Sequence, residues 1–133
     1  MIQFSRTLLM ALESLGYIGR KVNDSPIPLK DVALVVKASP TYLSKVLQQL
    51  TRAGFLSTVM GPHGGYKLSR KPREIPLLDV VELFAKPMET PPEPQSWERS
   101  IGIVEILHWC SEPSRERMAR LTVEDLSKAM RVD

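Results

Sequence analysis

The chain has 133 residues, 43% of them hydrophobic and 25% charged, with a formal net charge of +3, a balance that fits one globular domain and excludes a disordered polyelectrolyte. No apolar run approaches the roughly 18 residues of a membrane span, and Met1–Arg6 lacks the pattern of a secretory leader, so the expected location is the cytoplasm, with no membrane partner. A single cysteine, Cys110, excludes an internal disulfide framework and a thiolate-rich zinc or four-thiolate iron–sulfur site within one chain.

Ser5 is placed to cap a helix running to about Gly19, where Leu8, Leu12 and Leu15 form the stripe of a helix with one buried face. Gly16 and Gly19 weaken its end, and Asn23–Pro26 is a turn cluster. A short helix is predicted over Leu29–Val36, with Val32, Val35 and Val36 as its apolar positions. Ser39 and Pro40 then supply a cap and a first-turn proline for a helix from Pro40 to Ala53, whose apolar face is Leu43, Val46, Leu47 and Leu50. Gly54 is placed to end it. Two helices joined by so short a turn give the helix-turn-helix outline.

Phe55–Met60 and Tyr66–Leu68 flank the turn Gly61-Pro62-His63-Gly64-Gly65 and read as a β-hairpin. That glycine cluster lacks the Lys-Ser/Thr of a phosphate-binding loop and opens no helix, which excludes nucleotide binding of that kind. Leu77–Ala85 is helical by its apolar spacing. Lys86–Gln95 carries four of the eleven prolines and reads as an extended linker. From Trp97 a helix begins that is apolar around much of its circumference, through Ile101, Val104, Leu107, Trp109 and Cys110, and so needs cover on more than one side. A second copy of the chain is the expected cover. Pro113 interrupts this helix, Ser114–Arg120 resumes it, and Thr122 caps a final one.

The expected fold is therefore mainly α with a small β-hairpin. It comprises a winged helix-turn-helix domain over 1–85, a proline-rich linker over 86–96, and a dimerisation helix with a short final helix over 97–133. A helix pair followed by a hairpin is a winged helix, and double-stranded DNA is its expected partner, since the second helix fits the major groove. Ser39, Thr41, Tyr42, Ser44, Lys45 and Gln48 occupy the N-terminal half of that helix, the part that reaches bases and phosphates in such docking. Lys30, Lys37, Arg52, Lys67, Arg70 and Lys71 are candidates for phosphate contacts. Residues 1–71 hold ten basic and three acidic residues (+7), and residues 72–133 hold eight and twelve (−4). This asymmetry fits a polyanion partner for the first half, or a solvated surface with clustered charge.

The segment from Leu47 through the Gly61-Pro62-His63-Gly64-Gly65-Tyr66 turn to Arg70 resembles the signature of the bacterial IscR/NsrR/CymR-type family of winged helix-turn-helix regulators. Ser39–Leu43 is similar to that family's recognition-helix start, Ile75–Val81 to the segment after the wing, and Leu121–Leu126 to its final short helix. The resemblance implies a homodimer, crossed through the helix near Trp97–Arg120, that binds a partly palindromic operator and acts as a transcriptional regulator, with repression as the expected mode. It also implies that the wing contributes to binding through Gly61, Pro62, His63, Gly64, Gly65 and Tyr66. Two positions depart from the family pattern. Met60 stands where an arginine often enters the minor groove, and the 86–95 loop has none of the three cysteines of cluster-binding members. No cofactor is therefore expected.

Cys110 on the dimer helix admits two readings, a redox-sensitive thiol or a small buried hydrophobe beside His108. His63 fits a phosphate contact or an exposed turn residue, and the two tryptophans fit the dimer core. No serine, histidine and acid fall at a catalytic spacing, so enzymatic activity is not expected. The rival to a DNA-binding regulator is a winged helix that has lost DNA and docks a protein partner. The effector is unassigned.

Overall fold

A computed structural model describes residues 5–21, 25–84 and 115–130. Helix α1 spans Arg6–Gly19, α2 Leu29–Val36 and α3 Pro40–Arg52. Strands β1, Leu56–Val59, and β2, Gly65–Leu68, follow. A 3-10 turn occupies Pro72–Glu74, and α4 runs Leu77–Leu83. After the central segment come α5, Arg115–Arg120, and α6, Val123–Ala129. The winged helix-turn-helix and its hairpin are as expected. Strand β1 is one residue shorter at each end than its apolar run, whereas β2 begins one residue earlier than expected, because Gly65 of the turn cluster pairs with Val59. Trp97, Trp109 and Cys110, and with them most of the expected dimerisation helix, lie outside the described residues.

Local signals set the helix ends. Ser5 Oγ accepts from the Leu8 N–H at 3.1 Å, and Ser39 Oγ accepts from the Tyr42 N–H at 3.2 Å, each satisfying a donor the first turn would otherwise leave open. At α6 the Asp125 carboxylate accepts from the Thr122 N–H at 2.8 Å. Lys37 ends α2 in the left-handed region (φ 54°, ψ 49°), and the Ala38 N–H reaches back to the Ala33 carbonyl at 3.1 Å. The turn between α2 and α3 is thus three residues long.

Helix α1 differs from the expected one-sided amphipath. Eleven of its residues are buried, including Thr7, Glu13 and Ser14. The reason is its neighbours: α2, α3, β2, α4 and α6 all pack on it. Ser14 remains compatible with burial because its hydroxyl donates to the Met10 carbonyl at 2.8 Å. Gly16 and Gly19, which locally weaken a helix, serve a close approach. A Cβ on Gly16 would meet Met130 Sδ at 2.5 Å, and one on Gly19 would meet Ser127 Oγ at 3.0 Å. The Ser127 hydroxyl instead donates to the Gly16 carbonyl at 2.7 Å.

Val123, Leu126 and Met130 accordingly join one core with Leu12, Leu15, Leu43, Leu47 and Leu56. Residues 123–130, grouped by sequence with the dimerisation helix, pack within the winged-helix unit. A backbone bridge fixes the join, with Leu77 N–H donating to the Leu121 carbonyl at 2.8 Å and Val123 N–H to the Ile75 carbonyl at 3.0 Å.

The hairpin pairs antiparallel, Leu56 with Leu68, Ser57 with Lys67, Thr58 with Tyr66 and Val59 with Gly65. Ile27 adds a further bridge, exchanging backbone hydrogen bonds with Tyr66 at 2.8 and 2.9 Å. The chain just before α2 is therefore stitched to the wing.

Candidate nucleic-acid interface

Burial of one face of α3 dictates what the other presents. Leu43, Val46, Leu47 and Leu50 are buried, which leaves Thr41, Lys45, Gln48 and Arg52 exposed. Their i, i+4, i+7, i+11 spacing keeps them on one stripe. Ser44 is half-buried beside that stripe, and its hydroxyl accepts from Gln48 Nε2 at 3.3 Å. This bond orders the pair across one turn. Ser39 is exposed but its hydroxyl is engaged as the cap.

Tyr42 departs from the stripe. It is half-buried and packs on the core, and its hydroxyl is hydrogen-bonded to Thr7 Oγ1 of α1. That contact holds the start of α3 against α1, so Tyr42 acts as an anchor for the helix. Lys30 is exposed on the first turn of α2, and Lys37 is exposed in the turn before α3.

The hairpin leaves α3 directly. The Phe55 N–H donates to the Leu50 carbonyl at 3.0 Å, and Ser69 N–H to the Phe55 carbonyl at 3.0 Å, which anchors both strand ends beside the C-terminus of α3. At its tip Gly61, Pro62 and His63 are exposed, and Met60 is 86% exposed. The glycines answer to geometry. Gly61 (φ 106°) and Gly65 (φ 155°) occupy backbone conformations that L side chains rarely adopt. A Cβ on Gly64 would lie 2.0 Å from the Val59 carbonyl oxygen, and one on Gly65 2.3 Å from the Ile27 carbonyl oxygen. Tyr66 is half-buried and packs on the core.

Lys67 and Arg70 sit elsewhere. They line a recess with Lys21 and Lys71 to which no residue of α2, α3 or the 60–65 tip contributes. The structure thus gathers two groups of cations, one on and around the helix pair and one behind the wing. The sequence grouped Lys67, Arg70 and Lys71 with the other phosphate-contact candidates and passed over Lys21; the paired cations Arg20-Lys21 and Arg70-Lys71 flanking turns were the available signal. The exposure of Leu34, 74%, was also unanticipated, since it lies within an apolar run.

A capped helix with a polar outward stripe, held beside a glycine-tipped hairpin, defines the winged helix-turn-helix class. The sequence pattern of the Rrf2 family, described as an iron-dependent transcriptional regulator, matches residues 4–129, and the chain belongs to this family of transcriptional regulators. Protein rrf2 of Nitratidesulfovibrio vulgaris is 38% identical over 71 residues, 53% of this chain and 47% of that protein. The regulator CymR of Bacillus subtilis is 27% identical over 118 residues, 83% of this chain and 78% of its own. The solved structure of that global cysteine regulator superposes with a TM-score of 0.71 at 24% identity, covering 96% of this chain and 98% of the other. IscR of T. potens gives a TM-score of 0.70 at 22% identity, covering 96% and 87%. The chain spans about half the length of curated relatives such as rrf2, at 47%, and a putative HTH-type transcriptional regulator of Aquifex aeolicus, at 56%.

The family description includes iron, for which this chain offers few donors. One cysteine and two histidines are too few for a thiolate-held cluster within the chain, and among the described residues no three His, Cys, Asp or Glu side chains converge. The residues do not fit such a centre. No helix among the described residues is long and apolar enough to cross a membrane.

Proposed function

We propose that the protein is a sequence-specific DNA-binding regulator that works as a homodimer on a pseudo-palindromic operator and represses transcription. The observation that carries this reading is the exposed stripe Thr41–Lys45–Gln48–Arg52 on a helix whose other face is locked into the core. Such a helix fits the roughly 12 Å major groove, and two copies would enter successive grooves about one helical turn apart. Ser44 and Gln48 have hydrogen-bonding groups suited to base edges, whereas Lys30, Lys37, Lys45 and Arg52 are suited to phosphates. Gly61, Pro62, His63 and Gly64 would lie along the flanking minor groove. The dimer contact is assigned to the 97–120 segment, with Cys110 within it as the candidate site of redox control. The protein is proposed to have no enzymatic activity of its own and to act in the cytoplasm.

The test is binding to fragments from its own upstream region, measured over a salt series. One fragment should be preferred by at least a hundredfold, and its affinity should fall steeply from 50 to 200 mM salt as counterions are released. Met60 favours a second reading, in which the apolar wing tip docks a protein. Equal, weak binding to every duplex at every salt concentration would select that reading over the first.

A further inference from the structure

Behind the hairpin lies a recess of about 760 Å³, walled by the C-terminal end of α1, the outer face of the two strands and the 3-10 turn. Its volume falls within the range of small-molecule sites, roughly 300–1,000 Å³. Lys21, Lys67, Arg70 and Lys71 surround it, and Glu74 is the one carboxylate among its described lining residues. That carboxylate accepts from the Lys71 N–H, at 3.4 Å, across the 3-10 turn.

The cations are held without being neutralised. Among the described residues, none of the four is in an ion pair. The Arg70 guanidinium instead lies 5.2 Å over the Phe55 ring and the Lys21 ammonium 5.3 Å over the Tyr17 ring. Aromatic faces fix both groups yet leave their N–H donors available. Ser57 and Ser69 complete the donor set. Their hydroxyl oxygens are 2.9 Å apart, so one donates to the other and the second keeps its proton for a ligand. Arginine, lysine and serine donors around one cavity are the chemistry of a phosphate group.

We propose that this recess is a binding site for a small phosphate-bearing metabolite of nucleotide size or below. It goes beyond the proposed DNA reading and stands independently of it. A duplex is a stiff rod that meets projecting helices and loop tips, whereas a recess between three elements encloses a compact ligand. The ligand would bridge the hairpin to α1, which makes the wing's position sensitive to its presence. On this assignment Lys67 and Arg70 serve the metabolite, not the DNA backbone.

The full chain is titrated with inorganic pyrophosphate, and separately with ADP, by calorimetry and by amide chemical shifts. Saturable binding is expected, with shifts concentrated at residues 18–21 and 67–74. Lys67→Ala/Lys71→Ala should weaken it at least tenfold. Lys30→Ala/Lys45→Ala, which removes the same charge from the helix pair, should leave it within twofold. Absence of saturable binding, or equal weakening by both double variants, overturns the proposal. So does a result in which pyrophosphate fails to bind while Lys67→Ala/Lys71→Ala weakens every duplex, because the cations would then serve DNA phosphates. Pyrophosphate binding by a protein that prefers no duplex would refute the DNA reading and leave this site intact.

Discussion

Single residues in the wing and at the start of α3 carry geometric demands that dominate their chemistry. Gly65 combines a φ of 155° with a backbone carbonyl where a Cβ would sit. Gly65→Ala is expected to cost about 2 kcal/mol or more, because both strain and the Ile27 bridge oppose it, and urea unfolding will measure the loss. Tyr42 shows the converse, a residue whose polar group looks available for readout but is engaged within the protein. Tyr42→Phe should lower stability by about 1 kcal/mol while changing duplex affinity less than twofold. A large affinity loss at unchanged stability would instead make Tyr42 a reader of the duplex. The sequence offered no signal for the Thr7 contact, since it joins positions 35 residues apart. Gly16 and Gly19 were illegible for the same reason. Helix propensity sees them as defects, and only the helix packed across them shows what they admit.

Elements whose ends are set by neighbouring residues were legible: Ser39-Pro40 opening α3, Thr122 opening α6 and the glycine turn between the strands. Those signals act within one turn of chain, so no tertiary partner is needed to interpret them. The burial of α1 on nearly every side was not legible, because Glu13 and Ser14 mark a polar face until five other elements close over it. The exposed stripe of α3 was legible, because four leucines and valines at helical spacing fix the opposite side. A sharp expectation follows for that stripe. Ser44→Ala removes the acceptor that orders Gln48 and should change which operator base is preferred, by about 1–3 kcal/mol at one position. Lys45→Ala should weaken all duplexes alike and flatten the salt dependence by about one charge. A base-preference selection with both variants separates the two roles, and an unchanged preference for Ser44→Ala would place the readout elsewhere.

At the scale of the molecule, the core is continuous from Leu8 to Met130. Deleting residues 121–133 removes Val123, Leu126 and Met130 from that core and takes away the backbone bridge to Ile75 and Leu77. Each such apolar side chain contributes about 1.5–3 kcal/mol when fully buried, so the loss rivals the whole stability of a domain this size. The truncated chain is expected to lose cooperative thermal unfolding, seen by calorimetry. Retention of a sharp transition would show that the reading head is self-sufficient without α6. The +7 and −4 halves read from the sequence take on a physical sense here, because the acidic half supplies part of the scaffold on which the basic half is mounted.

The clasp between the first and last described helices also bears on how the protein is made. Synthesis proceeds from the N-terminus, so α1 emerges from the ribosome with its Gly16 groove vacant and must wait through more than a hundred further codons for Ser127 to reach it. Until then the winged-helix unit is an unfinished globule, and a messenger that ends early is expected to yield no folded miniature to compete with the complete protein.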